Sequence, residues 1–120
     1  MIDFQTNTIS DSLAVVAVSG KLDEMTRSYF FQCISDTFNG ECKQVIVDCS
    51  GLGLLGSSGL ASLLMARKYA RKEGGRIYLT HVNSTIAEVL ERTNLNKLFS
   101  IYPSTTGLLR IIQSGKLAHA

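Results

Sequence analysis

The chain has 120 residues, of which 45% are hydrophobic, and its formal net charge is +2. This length and composition are typical of one domain with a single core, which we expect to span residues 1–120. Apart from one cluster at residues 67–72 the basic residues are scattered, and the net charge is small, so we expect no direct nucleic-acid partner.

Two periodicities of apolar residues separate strands from helices. Short β-branched runs predict strands, and apolar residues three or four apart predict amphipathic helices. In chain order the predicted elements are strand 2–6, strand 13–18, helix 25–38, strand 45–48, helix 58–72, strand 76–81, helix 84–92, strand 99–102 and helix 103–112. The glycine-containing segments 20–23 and 49–56 are predicted to interrupt this pattern as turns or loops.

The alternation of strands and helices predicts an α/β fold with a mixed, largely parallel sheet. Residues 45–48 carry no polar face, which is typical of a central strand. Strand-to-helix turns of such folds gather at one edge of the sheet, where functional residues usually lie.

The three cysteines and the amino-terminal sequence indicate the cellular compartment. Cys33, Cys42 and Cys49 form no CxxC pair, and their odd number argues against a disulfide framework or a zinc site. The first residues lack the basic and apolar regions of a signal peptide, and no run approaches the roughly 18 apolar residues of a spanning helix. We therefore expect a cytoplasmic protein without membrane insertion.

The segment LLGSSGLAS, residues 54–62, places two serines between glycines at the start of a predicted helix. It does not fit the G-x-S-x-G nucleophile motif, because Gly59 directly follows Ser58. The two histidines are poorly placed as a base, since His81 ends a strand and His119 lies near the carboxyl terminus.

Other catalytic and ligand-binding motifs are also absent from this turn. A GxxxxGK[ST] phosphate loop would need lysine where Ser57 stands. The acidic residues near the turns are too dispersed for a metal cage. We therefore expect no enzymatic activity, no cofactor and no metal.

The residues alone leave two roles open for the serine pair. Ser57 or Ser58 is in one interpretation only the N-cap of the helix. In the other, an exposed hydroxyl there receives a phosphoryl group, because free N–H groups and the helix dipole favour added negative charge.

Three segments resemble the STAS domain family of anti-sigma factor antagonists, in order and over nearly the whole chain. The segment VIVDCSGLGLLGSSGLASLLMARKYARKEGGRIYLTHV is similar to a family pattern of apolar strand, loop, D-S-[ST]-G-L, helix and G-G-x-[LIV] strand. SGKLDEMT, residues 19–26, resembles the family's G-x-[LI]-D turn, and AEVLERTNLNKLFSIYPS resembles its third helix and last strand. The resemblance implies a single STAS domain, with a four- to five-stranded sheet and about four helices mainly on one face.

This resemblance implies a regulator in bacterial partner switching. In that family the unphosphorylated antagonist binds a serine-kinase anti-sigma factor, phosphorylation ends the binding, and a PP2C-like phosphatase restores it. Carried over, Ser57 is the phosphoacceptor and Ser58 the less favoured neighbour. Gly59 and Leu60 match the motif, and Asp23 matches the acidic residue of the first turn.

Gly56 departs from the family pattern, because this chain reads GSSG where the family typically reads DSSG. If the missing carboxylate contacts the kinase, phosphorylation of Ser57 is slowed or lost. If Asp23 supplies the local acidity, the switch survives. The expected partner-binding residues are Asp23, Gly56, Ser58, Gly59 and Leu60.

Two other functions stay open. In the first, the chain is a scaffold or a transporter-associated STAS subunit that acts without phosphorylation and has other STAS proteins among its partners. A weaker possibility is binding of a nucleotide or small ligand at the serine turn.

Several further residues have expected places in the fold. The basic cluster Arg67, Lys68, Arg71 and Lys72 predicts a solvated helix face, with docking of an acidic partner as the alternative. The leucines at 52, 54 and 55 are expected to divide between the core and a partner-binding patch near the serine turn. Cys33 and Cys49 are expected to be core hydrophobes, not redox sensors.

Overall fold

The computed structural model describes residues 2–38 and 40–115, so His119 lies outside the described residues. The elements are β1 (Ile2–Ser10), β2 (Leu13–Leu22), α1 (Arg27–Thr37), β3 (Gln44–Leu55), α2 (Ser57–Lys72), β4 (Arg76–Thr80), α3 (Ser84–Arg92), a 3-10 turn (Leu95–Lys97), β5 (Ser100–Tyr102) and α4 (Thr105–Gln113). The predicted order of strands and helices is confirmed, with the short 3-10 turn added.

The five strands form one sheet in the order β1-β2-β3-β4-β5. β1 pairs with β2 in antiparallel orientation, and the remaining pairs are parallel. The predicted mixed sheet is therefore confirmed, and so is the central place of β3. Val45 and Val47 are buried on one face of β3 and Ile46 on the other, which explains the absence of a polar face.

Helices cover both faces of the sheet unequally. Buried residues of α1, α2 and α3, among them Phe30, Leu63 and Leu90, pack in a large core on one face. On the other face, Leu108 of α4 packs with a smaller cluster that includes Ile46 and Tyr78. Three helices on one side and one on the other match the expectation of helices mainly on one face.

Two strands extend through both segments that were predicted as interruptions. β2 continues to Leu22 and β3 to Leu55, with Leu22 paired to Leu55. Gly51 does not mark a loop: a Cβ there would lie 2.6 Å from Ser19 Cβ, so the glycine permits close approach of two strands. The loop prediction for residues 49–56 is therefore wrong except at its last residue.

Some apolar residues that the helical spacing would place in the core are exposed in the structure. α1 begins at Arg27, so Met25 lies in the turn before it and is 81% exposed, while Tyr29 is 64% exposed. Leu64 of α2 is exposed as well, although apolar periodicity places it on the same side as Leu63. The buried stripe of α2 consists mainly of small residues, which lets the helix lie close to the sheet; its members are Gly59, Ser62, Leu63, Ala66 and Ala70.

The leucines of β3 divide as expected. Leu52 and Leu55 are buried, whereas Leu54 is 41% exposed. Leu52 and Leu55 are three residues apart and still lie in one core, because the pairing with β2 shifts register between Leu52 and Leu54.

Candidate functional site

The serine turn, residues 55–60, joins the end of β3 to the start of α2 beside the end of β2. The Gly56 N–H donates to the Leu22 carbonyl oxygen at 3.0 Å, which fixes the turn against β2. The first hydrogen bond of α2 runs from the Leu60 N–H to the Gly56 carbonyl oxygen at 2.9 Å. Because β2 and β3 are parallel and end together, Asp23 lies next to Gly56.

The N-cap of α2 is Gly56, and no side chain caps this helix. The interpretation of Ser57 or Ser58 as the N-cap is therefore wrong. β3 runs to Leu55, so the chain changes direction at one residue and both serines lie inside the first helical turn. The N–H groups of the first three helical residues have no partner within the helix.

The two serine hydroxyls differ in exposure. Ser57 is exposed and Ser58 is half-buried, and neither hydroxyl has a hydrogen-bond partner among residues 2–38 and 40–115. Ser62, one turn later, is buried and donates to the Gly59 carbonyl oxygen at 2.8 Å. Ser57 therefore presents an exposed hydroxyl at the start of α2, whereas the Ser62 hydroxyl is used in a contact within the helix.

Asp23 is fixed by the turn between β2 and α1. Its Oδ1 accepts a hydrogen bond from the Met25 N–H at 2.9 Å, and its own N–H donates to Thr26 Oγ1 at 3.0 Å. The Thr26 hydroxyl donates to the Lys21 carbonyl oxygen at 2.7 Å. These bonds hold the carboxylate of Asp23, which is half-buried, at the rim of the serine turn.

Gly56 leaves an opening beside this carboxylate. A Cβ built on Gly56 would lie 3.8 Å from Asp23 Cβ, an ordinary van der Waals contact. The backbone of Gly56 has φ −84° and ψ 176°, an extended conformation open to any residue. Position 56 therefore has room for a Cβ, and its glycine leaves Asp23 as the adjacent acidic group.

Gly59, in contrast, is required by packing. A Cβ at this position would lie 2.2 Å from the Leu22 carbonyl oxygen. The amino-terminal turn of α2 thus rests directly on the end of β2. Gly59 therefore positions both serines relative to Asp23.

The structure brings together most of the residues that the sequence indicated. Asp23, Gly56, Ser57, Ser58 and Gly59 gather at one end of the sheet. Leu60 is half-buried and packs against the main core, so only part of its side chain is available to a partner.

Two exposed apolar side chains lie near this site: Leu54 belongs to the patch that the sequence predicted, whereas Met25 was not included in that prediction. Met25 follows Asp23 by two residues, Leu54 precedes Gly56 by two, and both are exposed. Helical periodicity placed Met25 inside α1. Thr26, a residue type favoured at helix starts, is the N-cap of α1, and assigning it that role would have placed Met25 before the helix.

Other potential chemistry is limited within the described ranges. No group of three His, Cys, Asp or Glu side chains comes together there as a metal site. His81 follows β4, and its Nε2 accepts a hydrogen bond from the Thr105 N–H at 3.2 Å. Among the same residues, every helix is too short or too polar to cross a bilayer.

Comparison with protein-family models gives one match. The model described as the STAS domain matches residues 5–107. That range runs from β1 into α4 and includes the whole serine turn.

Solved structures share this fold over most of the chain. An anti-sigma factor antagonist from Mycobacterium paratuberculosis is 26% identical, with a TM-score of 0.81 over 94% of this chain and 95% of that one. The anti-sigma factor antagonist SpoIIAA in its unphosphorylated form is 20% identical, with a TM-score of 0.79 over 97% of this chain and 100% of that one. The Bacillus cell fate determinant SpoIIAA has also been solved in its phosphorylated form, with 20% identity and a TM-score of 0.69 over 91% of this chain and 99% of that one.

The same fold occurs in a protein of a different functional description. A sulfate transporter family protein from Wolinella succinogenes is 12% identical, with a TM-score of 0.72 over 83% of this chain and 84% of that one.

Proposed function

This chain belongs to the STAS domain family, and on that premise we propose that it is an anti-sigma factor antagonist of the partner-switching type. It binds a serine-kinase anti-sigma factor while Ser57 is unphosphorylated and loses that partner once Ser57 is phosphorylated. A PP2C-like phosphatase reverses the modification. The observation that carries this proposal is the exposed Ser57 hydroxyl, which has no hydrogen-bond partner among the described residues and begins α2 beside Asp23.

The start of α2 suits the product of this reaction. The kinase transfers the γ-phosphoryl group of ATP to Ser57 Oγ and releases ADP. The resulting phosphoserine carries a charge of about −1.5 to −2 at neutral pH. The first-turn N–H groups and the helix dipole stabilise that charge. No acidic side chain lies in the first turn of α2 to oppose it.

The exposed apolar residues explain how phosphate ends partner binding. Met25 follows Asp23 by two residues, Leu54 precedes Gly56 by two, and these exposed side chains offer apolar surface to a partner. A dianion beside such a surface keeps its water, and its burial in an interface costs more than the apolar contacts return. Phosphorylation thus changes the interface without requiring a change in fold.

We further propose that Asp23 performs the acidic role which the family assigns to residue 56. Its carboxylate is held by the turn of residues 21–26, and the space beside Gly56 leaves it accessible to a kinase. One neighbouring carboxylate instead of two also lowers repulsion toward a phosphoserine. We therefore expect Ser57 to be phosphorylated more slowly than the serine of the family's DSSG motif. Once formed, its phosphoserine should be repelled less by neighbouring carboxylates.

The test is incubation of the protein with its cognate kinase and ATP, followed by mapping of phosphate by mass spectrometry. We expect phosphate on Ser57 in the wild type and in Ser58→Ala, and none in Ser57→Ala. Gly56→Asp should be phosphorylated faster than the wild type, and Asp23→Asn more slowly. Kinase binding without phosphate on either serine would remove the switch and leave a constitutive binder.

A second function is a phosphorylation-independent scaffold or transporter-associated subunit. The fold match to a sulfate transporter family protein and the glycine at position 56 favour it. Co-purification distinguishes the two functions. A stable complex with an ATPase or with other STAS proteins, in the absence of phosphate, would favour the scaffold.

A further inference from the structure

The basic cluster on α2 divides into two pairs that face different surroundings. Arg67 and Arg71 line a groove of about 530 Å³ between the end of α2 and the strands β4 and β5. Lys68 and Lys72 are exposed and stand outside that groove. The arginines and lysines therefore have distinct environments, although they alternate in sequence.

We call this feature the three-arginine groove. Its lining consists of two glycines together with Arg67, Arg71, Arg76, Ile77, Leu98 and Ser100. It lies at the opposite end of α2 from the serine turn. At 1.5 Å per helical residue, Arg71 is about 20 Å along the helix from Ser57.

Local contacts fix the walls of the groove. Arg67 Nε donates to the Leu98 carbonyl oxygen at 2.9 Å, which ties α2 to the segment before β5. The Gly75 N–H donates to the Ala70 carbonyl oxygen at 2.7 Å and closes the end of the helix. A Cβ on Gly75 would lie 2.5 Å from the Lys43 carbonyl oxygen, so the backbone here packs closely against the segment before β3.

The lining of the groove is basic, and Arg67 and Arg71 of α2 contribute to its positive charge. None of its lining residues is acidic. Within the part of the chain that the structure describes, the Leu98 carbonyl is the one polar partner of the Arg67 side chain, and Arg71 has none. The guanidinium groups of Arg67 and Arg71 have no carboxylate partner among those residues, and such groups favour an anionic ligand.

The position of the groove in the fold strengthens this preference. Residues 2–42 contain six acidic and two basic residues, whereas residues 43–115 contain four acidic and nine basic ones. Because the strand order in space equals the order in the chain, this difference becomes a charge gradient across the sheet. The groove lies in the basic half, which attracts acidic partners over a distance of several ångströms in physiological salt.

The lining indicates which kind of anion fits. No aromatic side chain lines the groove, so it offers no platform for stacking a base of a nucleotide or a nucleic acid. Leu98 is 44% exposed beside the arginines and supplies apolar surface. Guanidinium groups next to an aliphatic side chain suit carboxylates carried on a peptide.

We propose that the three-arginine groove binds an acidic segment of a partner protein. The interaction is separate from the serine turn, so it gives the domain a second docking surface. Arg67 and Arg71 pair with carboxylates of the segment, and Leu98 contacts its apolar side chains.

The test is a titration of a fluorescein-labelled polyglutamate peptide with the full chain, followed by fluorescence anisotropy. Arg67→Ala/Arg71→Ala and Lys68→Ala/Lys72→Ala change the net charge equally, so the lysine variant is the matched control. We expect the arginine variant to weaken binding about tenfold and the lysine variant less than about twofold. Arg71→Ala alone leaves the Arg67–Leu98 bond intact, and it should give an intermediate loss with an unchanged circular dichroism spectrum.

Two results would overturn this proposal. An equal loss in both double variants would mean that the peptide responds to overall charge and not to the groove. Displacement of the peptide by ATP or by a single-stranded DNA oligonucleotide at lower concentrations than unlabelled polyglutamate would identify a phosphate ligand instead. Ser57→Ala should bind the peptide as the wild type does, which keeps this test independent of the phosphorylation switch.

Discussion

Gly56 and Gly59 flank the serine pair, but only one of them is required by its surroundings. Gly56 has an extended backbone and open space beside it. Gly59 lies against the carbonyl of Leu22, where no side chain fits. Gly59 is therefore required for the packing of the turn, whereas position 56 has room for a side chain.

We predict that Gly59→Ala destabilises the protein by about 3 kcal/mol, because the new methyl group forces the start of α2 away from β2. Urea unfolding followed by circular dichroism measures this loss. Gly56→Ala is the matched control and should change the free energy of unfolding by no more than about 1 kcal/mol. Similar losses in the two variants would contradict the packing role of Gly59.

The buried thiol of Cys49 makes the stability of the fold depend on pH in the alkaline range. Burial raises the pKa of its thiol from the ordinary value of 9.0 to about 12, and the nearby Asp48 carboxylate adds to the shift. The folded protein thus holds this proton more tightly than the unfolded chain does. The resulting stabilisation is complete below about pH 9 and is lost as the pH rises toward 12.

We predict that this thiol lowers the free energy of unfolding by about 1.4 kcal/mol for each pH unit within that alkaline window. Urea unfolding at a series of pH values measures the slope, and Cys49→Ala should make it shallower. Cys33, Cys42 and Tyr78 also have pKa values raised by burial, but they remain in both proteins and cancel in the comparison. Equal slopes would contradict this account of Cys49.

The long strands β2 and β3 carry the candidate site at their ends. Their parallel pairing extends from Leu13 and Gln44 to Leu22 and Leu55, with two register shifts near the glycines. Asn83 supports this extension from the neighbouring helix: its Nδ2 donates to the Leu52 carbonyl oxygen at 3.1 Å, and its Oδ1 caps α3 by accepting from the Ile86 N–H at 2.9 Å.

We predict that Asn83→Ala costs about 2 kcal/mol, because it removes both the helix cap and the contact with β3. Asn83→Asp keeps the accepting oxygen and loses the donor, so it should cost about half as much. Chemical denaturation of the two variants separates the contributions. An equal cost would mean that the cap of α3 contributes nothing.

The complete domain has two cores, because the central strand β3 is buried on both faces. α4 alone among the described helices covers the smaller core, where Leu108 is 1% exposed. This arrangement leaves the three-helix face to hold the serine turn and the three-arginine groove at the two ends of α2. Both proposed docking surfaces therefore share one rigid helix.

We predict that Leu108→Ala lowers the free energy of unfolding by about 3 kcal/mol, through the cavity it leaves beneath α4. Leu109→Ala, at a half-buried neighbouring position, should cost about 1 kcal/mol. Thermal and urea unfolding of the pair test whether α4 is part of the folded unit. A small effect of both variants would show that the second face is not essential to stability.

Local patterns were sufficient for the order and type of the elements. Residues 45–48 predicted a central strand because their apolar, β-branched run, which has no polar face, is visible in the local sequence. The end of β3 was not predicted, because Gly51 resembles loop punctuation until Ser19 is known to lie against it. The role of Gly59 is hidden for the same reason, since its neighbour is the carbonyl of Leu22, far away in the chain.

The amino-acid sequence by itself therefore determined the α/β architecture and identified the serine pair, because periodicity and motif spacing can be recognised within short stretches of the chain. Contacts between distant segments assigned the N-cap to Gly56, placed Asp23 beside it and separated Arg67 and Arg71 from their lysine neighbours. Those properties depend on which strands pair and how a helix is rotated about its axis. Packing sets both, and no local stretch of sequence encodes them.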